Sequence, residues 1–140
     1  MKRWIVACAL IALAGCAAQR ERPDALYQDL GGQPGIEKLV TGMLVNIAND
    51  ERIVHHFRGV KIEHLRGLLV EKFCSLAGGP CTYSGDDMMQ SHAGKNITDA
   101  DFNALVEDLI AAMETQNIAV STQNRLLALL APMHGDIVYH

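Results

Sequence analysis

The sequence predicts an all-α domain. Aromatic side chains make up only 5% of the 140 residues, while 49% are hydrophobic. Strands draw on aromatic and β-branched residues, whereas Leu and Ala favour helices. Apolar residues also recur at helical spacing in successive segments, and no stretch alternates as a half-buried strand does. The length suits one domain. The formal net charge is -4 and no basic run follows residue 22. Phosphate binding needs clustered Lys and Arg, so nucleic acid is excluded as a partner.

The first element is an export signal. Lys2 and Arg3 precede an uncharged apolar run, Trp4 to Ala14. The run is too short to span a bilayer as a helix and has the layout of a secretory signal. Leu13-Ala14-Gly15-Cys16 resembles the lipobox of bacterial lipoproteins. That resemblance implies cleavage before Cys16 and lipidation of its thiol, so residues 1–15 are signal and residues 16–24 a lipidated tether. It places the mature chain at the cell envelope, facing the periplasm. Ala17 rather than Asp after the cysteine favours the outer membrane. The alternative is a plain signal peptide cleaved near the Ala-rich stretch.

Ala25 to Leu30 reads as a short helix ended by Gly31-Gly32, and Pro34 suits the first turn of the next. Ile36, Leu39, Val40, Met43, Leu44 and Ile47 then mark one helical face, broken at Asn49-Asp50. Asp50 is placed to cap a short turn through His56. Ile62, Leu65, Leu69, Phe73 and Leu76 mark a further helix, stopped by Gly78-Gly79-Pro80. Residues 77–91 read as a long loop. Export leaves Cys74 and Cys81 flanking its start, either as a disulfide in an oxidising compartment or as two free thiols. Thr98 with Asp101 is an acidic capping box. Phe102, Leu105, Val106, Leu109, Ile110 and Met113 follow on one face. Ser121 or Thr122 opens the last helix, with Leu126, Leu127, Leu130, Met133 and Ile137 inward; Pro132 should kink or end it. Periodicity alone implies a helical bundle and no cofactor.

The order of short motifs carries more. Leu26-Tyr27-Gln28-Asp29-Leu30-Gly31-Gly32, then Asp50-Glu51-Arg52-Ile53 with Phe57, then Phe73 with Gly78-Gly79-Pro80 and Tyr83-x-Gly85, and finally Met89-x-x-His92-x-Gly94 with Ile97-Thr98 and Phe102, resemble the group I truncated haemoglobins from Leu26 to Val138. The resemblance implies a two-over-two helical sandwich over residues 25–140, holding haem b. His92 aligns with the proximal histidine, and imidazole is a standard axial ligand of globin iron. Phe57 aligns with the phenylalanine that lies on the haem. Phe73, Met89, Ile97, Phe102 and Val106 are further candidates to touch the porphyrin, and the apolar helical positions among them equally suit plain core.

The distal side departs from the family. Many members carry a tyrosine on the second helix and a glutamine on the distal helix, both hydrogen-bonding to dioxygen. Counted without gaps, those positions are Leu44, Leu65 and Leu69. One hydrogen bond to a charged partner contributes roughly 1.5–3 kcal/mol, so losing such donors should speed oxygen release and favour CO and NO. His55, His56 and His64 are surface residues, a source of a sixth iron ligand, or an adventitious metal site. The leading expectation is reversible binding of a diatomic gas at five-coordinate haem, served by an unknown reductase. A nitric oxide dioxygenase or peroxidase, and a non-haem helical lipoprotein, are the alternatives.

Overall fold

The computed structural model describes residues 21–140, so the signal and Cys16 lie outside the described residues. The chain order is α1 (Ala25–Asp29), α2 (Gly32–Asn49), a 3-10 turn (Val54–Phe57), α3 (Ile62–Leu76), α4 (Met88–His92), α5 (Asp99–Thr115), α6 (Val120–Leu130), a 3-10 turn (Ala131–Met133) and α7 (His134–Ile137). The described residues contain no strand. None of their helices is long and apolar enough to cross a membrane.

Helix α2 is the spine. Ile36, Leu39, Val40, Met43 and Ile47 are all buried on it, the stripe that its apolar spacing predicts. Helices α3 and α5 both pack against α2, and neither packs along the other. Both run antiparallel to it. Arg66 Nε donates to Thr41 Oγ1 at 3.1 Å, and Asn46 Nδ2 donates to the Asp108 carbonyl at 2.9 Å. The start of α2, the end of α3 and the end of α5 therefore share one end of the domain. The Val54–Phe57 turn, the start of α3 and the start of α5 share the other.

The first end is closed by tight backbone approaches. A Cβ on Gly35 would lie 2.0 Å from the Leu30 carbonyl oxygen, so only glycine lets α2 turn so sharply off α1. Gly78 has φ +81°, and a Cβ there would lie 2.1 Å from the Pro23 carbonyl oxygen. Tyr27 N–H donates to the Ala77 carbonyl at 3.0 Å, so α1 is stitched to the end of α3. Arg125 on α6 pairs with Asp29 and Glu21.

Several sequence expectations need correction. Residues 77–91 are not loop throughout, because Asp87 caps a short helix by accepting from Gln90 N–H at 2.7 Å. Helix α6 begins at Val120 with Ala119 as its cap, not at Ser121 or Thr122. Thr122 is instead buried within its first turn. On α3 the buried residues are Val70, Phe73 and Cys74, while Ile62 is exposed and Leu65 and Leu69 are only half-buried. Periodicity located the apolar face, but the protein covers only one flank of it. The Thr98–Asp101 capping box is present with both its hydrogen bonds. Pro132 ends α6 in a 3-10 turn before α7.

Candidate functional site

His92 closes α4, four residues after Met88. That helical spacing puts its Nδ1 at 2.7 Å from the Met88 carbonyl oxygen. A carbonyl only accepts, so Nδ1 carries the proton and the Nε2 lone pair is free. Burial pushes the imidazole below the ordinary histidine range; the bond to Met88 opposes this and Lys95 adds a smaller downward push. The ring is therefore neutral at physiological pH, the state in which it ligates a metal. Among the described residues no three His, Cys, Asp or Glu side chains come together as a metal site. A metal on His92 must bring most of its ligands with it.

The surroundings of α4 are held from both sides. Helix α7 packs on α4, and the C-terminal tail is bonded to the segment after His92: Tyr139 N–H donates to the Ile97 carbonyl at 2.8 Å and Asn96 N–H to the His140 carbonyl at 3.0 Å. His134 Nε2 lies 2.8 Å from Asp99 Oδ1 and its ring stands edge-on to Phe102, centroids 4.8 Å apart. Before α4, the chain is strapped along α3. Cys74 and Cys81 form a disulfide with Cα atoms 5.8 Å apart. Ser84 donates from N–H and Oγ to Glu71 Oε2 at 2.9 and 2.7 Å, which holds the Glu71 carboxyl below its usual range. Lys72 Nζ sits 4.4 Å above the Tyr83 ring.

Leu44 and Phe57 line one pocket of about 280 Å³, together with Ile47, Ala48, Val54, Arg58 and Ile62. Its walls are apolar apart from Arg58. Leu65 and Leu69 on α3, and Phe102 and Val106 on α5, are half-buried on the two helices that flank α2, and Ile97 is half-buried just before α5. Phe73 is a core residue at 3% exposure, and Met89 is 49% exposed. His56 Nε2 lies 3.2 Å from Asp101 Oδ2, within ion-pair reach but outside hydrogen-bond geometry. Asp101 is held below the usual carboxylate range chiefly by the Thr98 N–H and hydroxyl, with His56 adding to it. His64 is exposed. The role of the Met88 carbonyl was open to sequence reading through its spacing from His92; the His56–Asp101 pair and the C-terminal strap join distant segments and left no local signal.

Comparison with known proteins agrees with this fold. The bacterial-like globin family matches residues 25–139. The group 1 truncated haemoglobin GlbN of Nostoc sp. (strain MUN 8820) is 31% identical over 115 residues, covering 82% of this chain and 98% of the relative. GlbN of Mycolicibacterium paratuberculosis is 29% identical over 119 residues, 85% of this chain and 88% of the relative. The crystal structure of truncated haemoglobin from Tetrahymena pyriformis in its Fe(III) form superposes with a TM-score of 0.80 at 24% identity, covering 82% of this chain and 98% of that one. Matched along nearly all of its described length, the chain belongs to the bacterial-like globin family, as a homologue of the group 1 truncated haemoglobins.

Proposed function

We propose that this globin binds a diatomic gas reversibly at haem b held by His92, against an apolar distal wall. The family implies a haem cofactor. The residues present fit one. His92 offers a single neutral imidazole with Nε2 free, and no partner ligands stand ready around it. Haem needs just that, because the porphyrin supplies four nitrogens of its own. The half-buried apolar residues of α3 and α5 keep apolar surface that a planar apolar group would cover. Haem would supply the gas-binding iron; His92 would hold it through Nε2, and the chain would orient that imidazole and exclude water. The Met88 carbonyl fixes the His92 tautomer and ring.

The distal chemistry follows from Leu44, Leu65 and Leu69. None of the three donates a hydrogen bond, so none of them stabilises the partial negative charge of bound dioxygen. CO and NO, which depend less on such a donor, are favoured relative to it. The same wall has no group to move a proton, which weighs against peroxidase chemistry. His56 Nε2 lies 3.2 Å from Asp101 Oδ2 and His64 is exposed, which favours a five-coordinate resting state.

The N-terminal sequence supports export and lipidation at Cys16, on the periplasmic side of the outer membrane, with residues 1–15 removed. The observation that carries the functional reading is the His92 Nδ1–Met88 contact. Haem titration of the full chain tests it. An equimolar end point in wild type, with weaker binding in His92→Gly, is expected; equal affinity in both would refute ligation by His92.

A further inference from the structure

We propose that the end of the domain where α1 begins is turned to the phospholipid bilayer, so that the His92 end points into the aqueous compartment. This rests on the reading of Cys16 as lipidated. The point where the chain leaves the domain is fixed. Glu21 pairs with Arg125 on α6, Ala25 N–H donates to the Arg22 carbonyl at 3.0 Å, and the Pro23 carbonyl lies against Gly78. All of these contacts sit at the end shared by the start of α2 and the end of α3.

Two lengths decide the orientation. From Cys16 to Glu21 an extended chain reaches at most about 18 Å. Helix α2 separates the two ends of the domain by roughly 27 Å, from its 1.5 Å rise per residue. The tether is shorter than the domain it holds. It cannot let the domain invert and lay the far end on the membrane. That far end carries the Val54–Phe57 turn and the start of α5, with His134 of α7 tied to Asp99 and α7 in turn against α4. A reductase or a gas sink acting on His92's side therefore meets the protein from the aqueous side.

The test uses the full chain, lipidated in a bacterial host and placed in phosphatidylethanolamine–phosphatidylglycerol vesicles with a nitroxide on the headgroup. A fluorophore is attached through Asn124→Cys on α6 or through Lys61→Cys at the start of α3, both exposed positions. Quenching several-fold stronger at residue 124 than at residue 61 is expected. Inserting a long Gly/Ser linker after Ala18 should bring the two toward equality. Equal quenching in the native chain, or stronger quenching at residue 61, overturns the orientation. Intact mass separates this from failure of the anchor: a chain without acyl mass on Cys16 overturns both readings, whereas an acylated chain with equal quenching overturns the orientation alone.

Discussion

Leu44→Tyr returns a hydroxyl to the distal wall, and its effect can be worked out from the pocket. Leu44 is half-buried and borders about 280 Å³ of space shared with Ile47, Val54 and Phe57. A phenol ring fits there without the overpacking that costs 1–3 kcal/mol in a filled core, by order of magnitude. None of the other wall residues except Arg58 carries a polar side chain. The new hydroxyl therefore has few protein acceptors to divert it. A hydrogen bond to a partner with charge character contributes about 1.5–3 kcal/mol, which corresponds to roughly ten- to a hundredfold. Dioxygen release, followed by stopped flow after ligand replacement, should slow by that factor. CO release should change little. An unchanged oxygen rate would mean that residue 44 does not face the ligand, and the explanation of the distal wall would fall with it.

Other perturbations test the scaffold. Reducing the Cys74–Cys81 disulfide, which spans seven residues of sequence, should cost about 2.5 kcal/mol by loop entropy and lower the Tm by roughly 5–15 °C; an unchanged melting curve would count against a closed bond. Asp101→Ala removes the capping box and the His56 partner, and denaturant unfolding should show a loss of about 1–2 kcal/mol. Because Asp101 and Glu71 are both held below their ordinary range, their stabilisation is full above the unfolded carboxylate range, about pH 4, and is lost as pH falls through their folded values. Acid titration of Asp101→Ala should accordingly show a shallower loss of stability below about pH 4 than wild type; identical slopes would contradict the assignment. Gly78→Ala forces a β-carbon onto the Pro23 carbonyl at a positive φ, and should cost about 1–3 kcal/mol while speeding proteolysis near Pro23.

Much of this fold was written locally. The stripe from Ile36 to Ile47, the Thr98–Asp101 box and the break at Pro132 are each decided by neighbours in sequence, and each forms as expected. Helix α4 was harder, because five residues are too few to show a period. Its one local signal was Asp87, three residues before Gln90, a cap with nothing periodic behind it. The start of α6 misled for the opposite reason. Ser121 and Thr122 are good capping residues, yet Thr122 is buried at 6% exposure and Ala119 takes the cap position. Capping preference lost to packing there. The apolar face of α3 was legible, but which flank the protein itself covers depends on where α2 and α5 lie. The His56–Asp101 pair, the His134–Asp99 pair and the tail against Ile97 join segments far apart in sequence, and polar residues in such pairs carry no periodicity to read.

The function proposed for this globin depends on whether His92 is the iron ligand of a five-coordinate haem. The most direct measurement is the absorption spectrum of the haem-loaded full chain after dithionite, in wild type and in His92→Gly. A broad high-spin ferrous spectrum is expected in wild type, lost in the variant and partly restored by added imidazole. A sharp low-spin ferrous spectrum would contradict the open distal position, and a wild type with no specific Soret band would contradict the haem site itself.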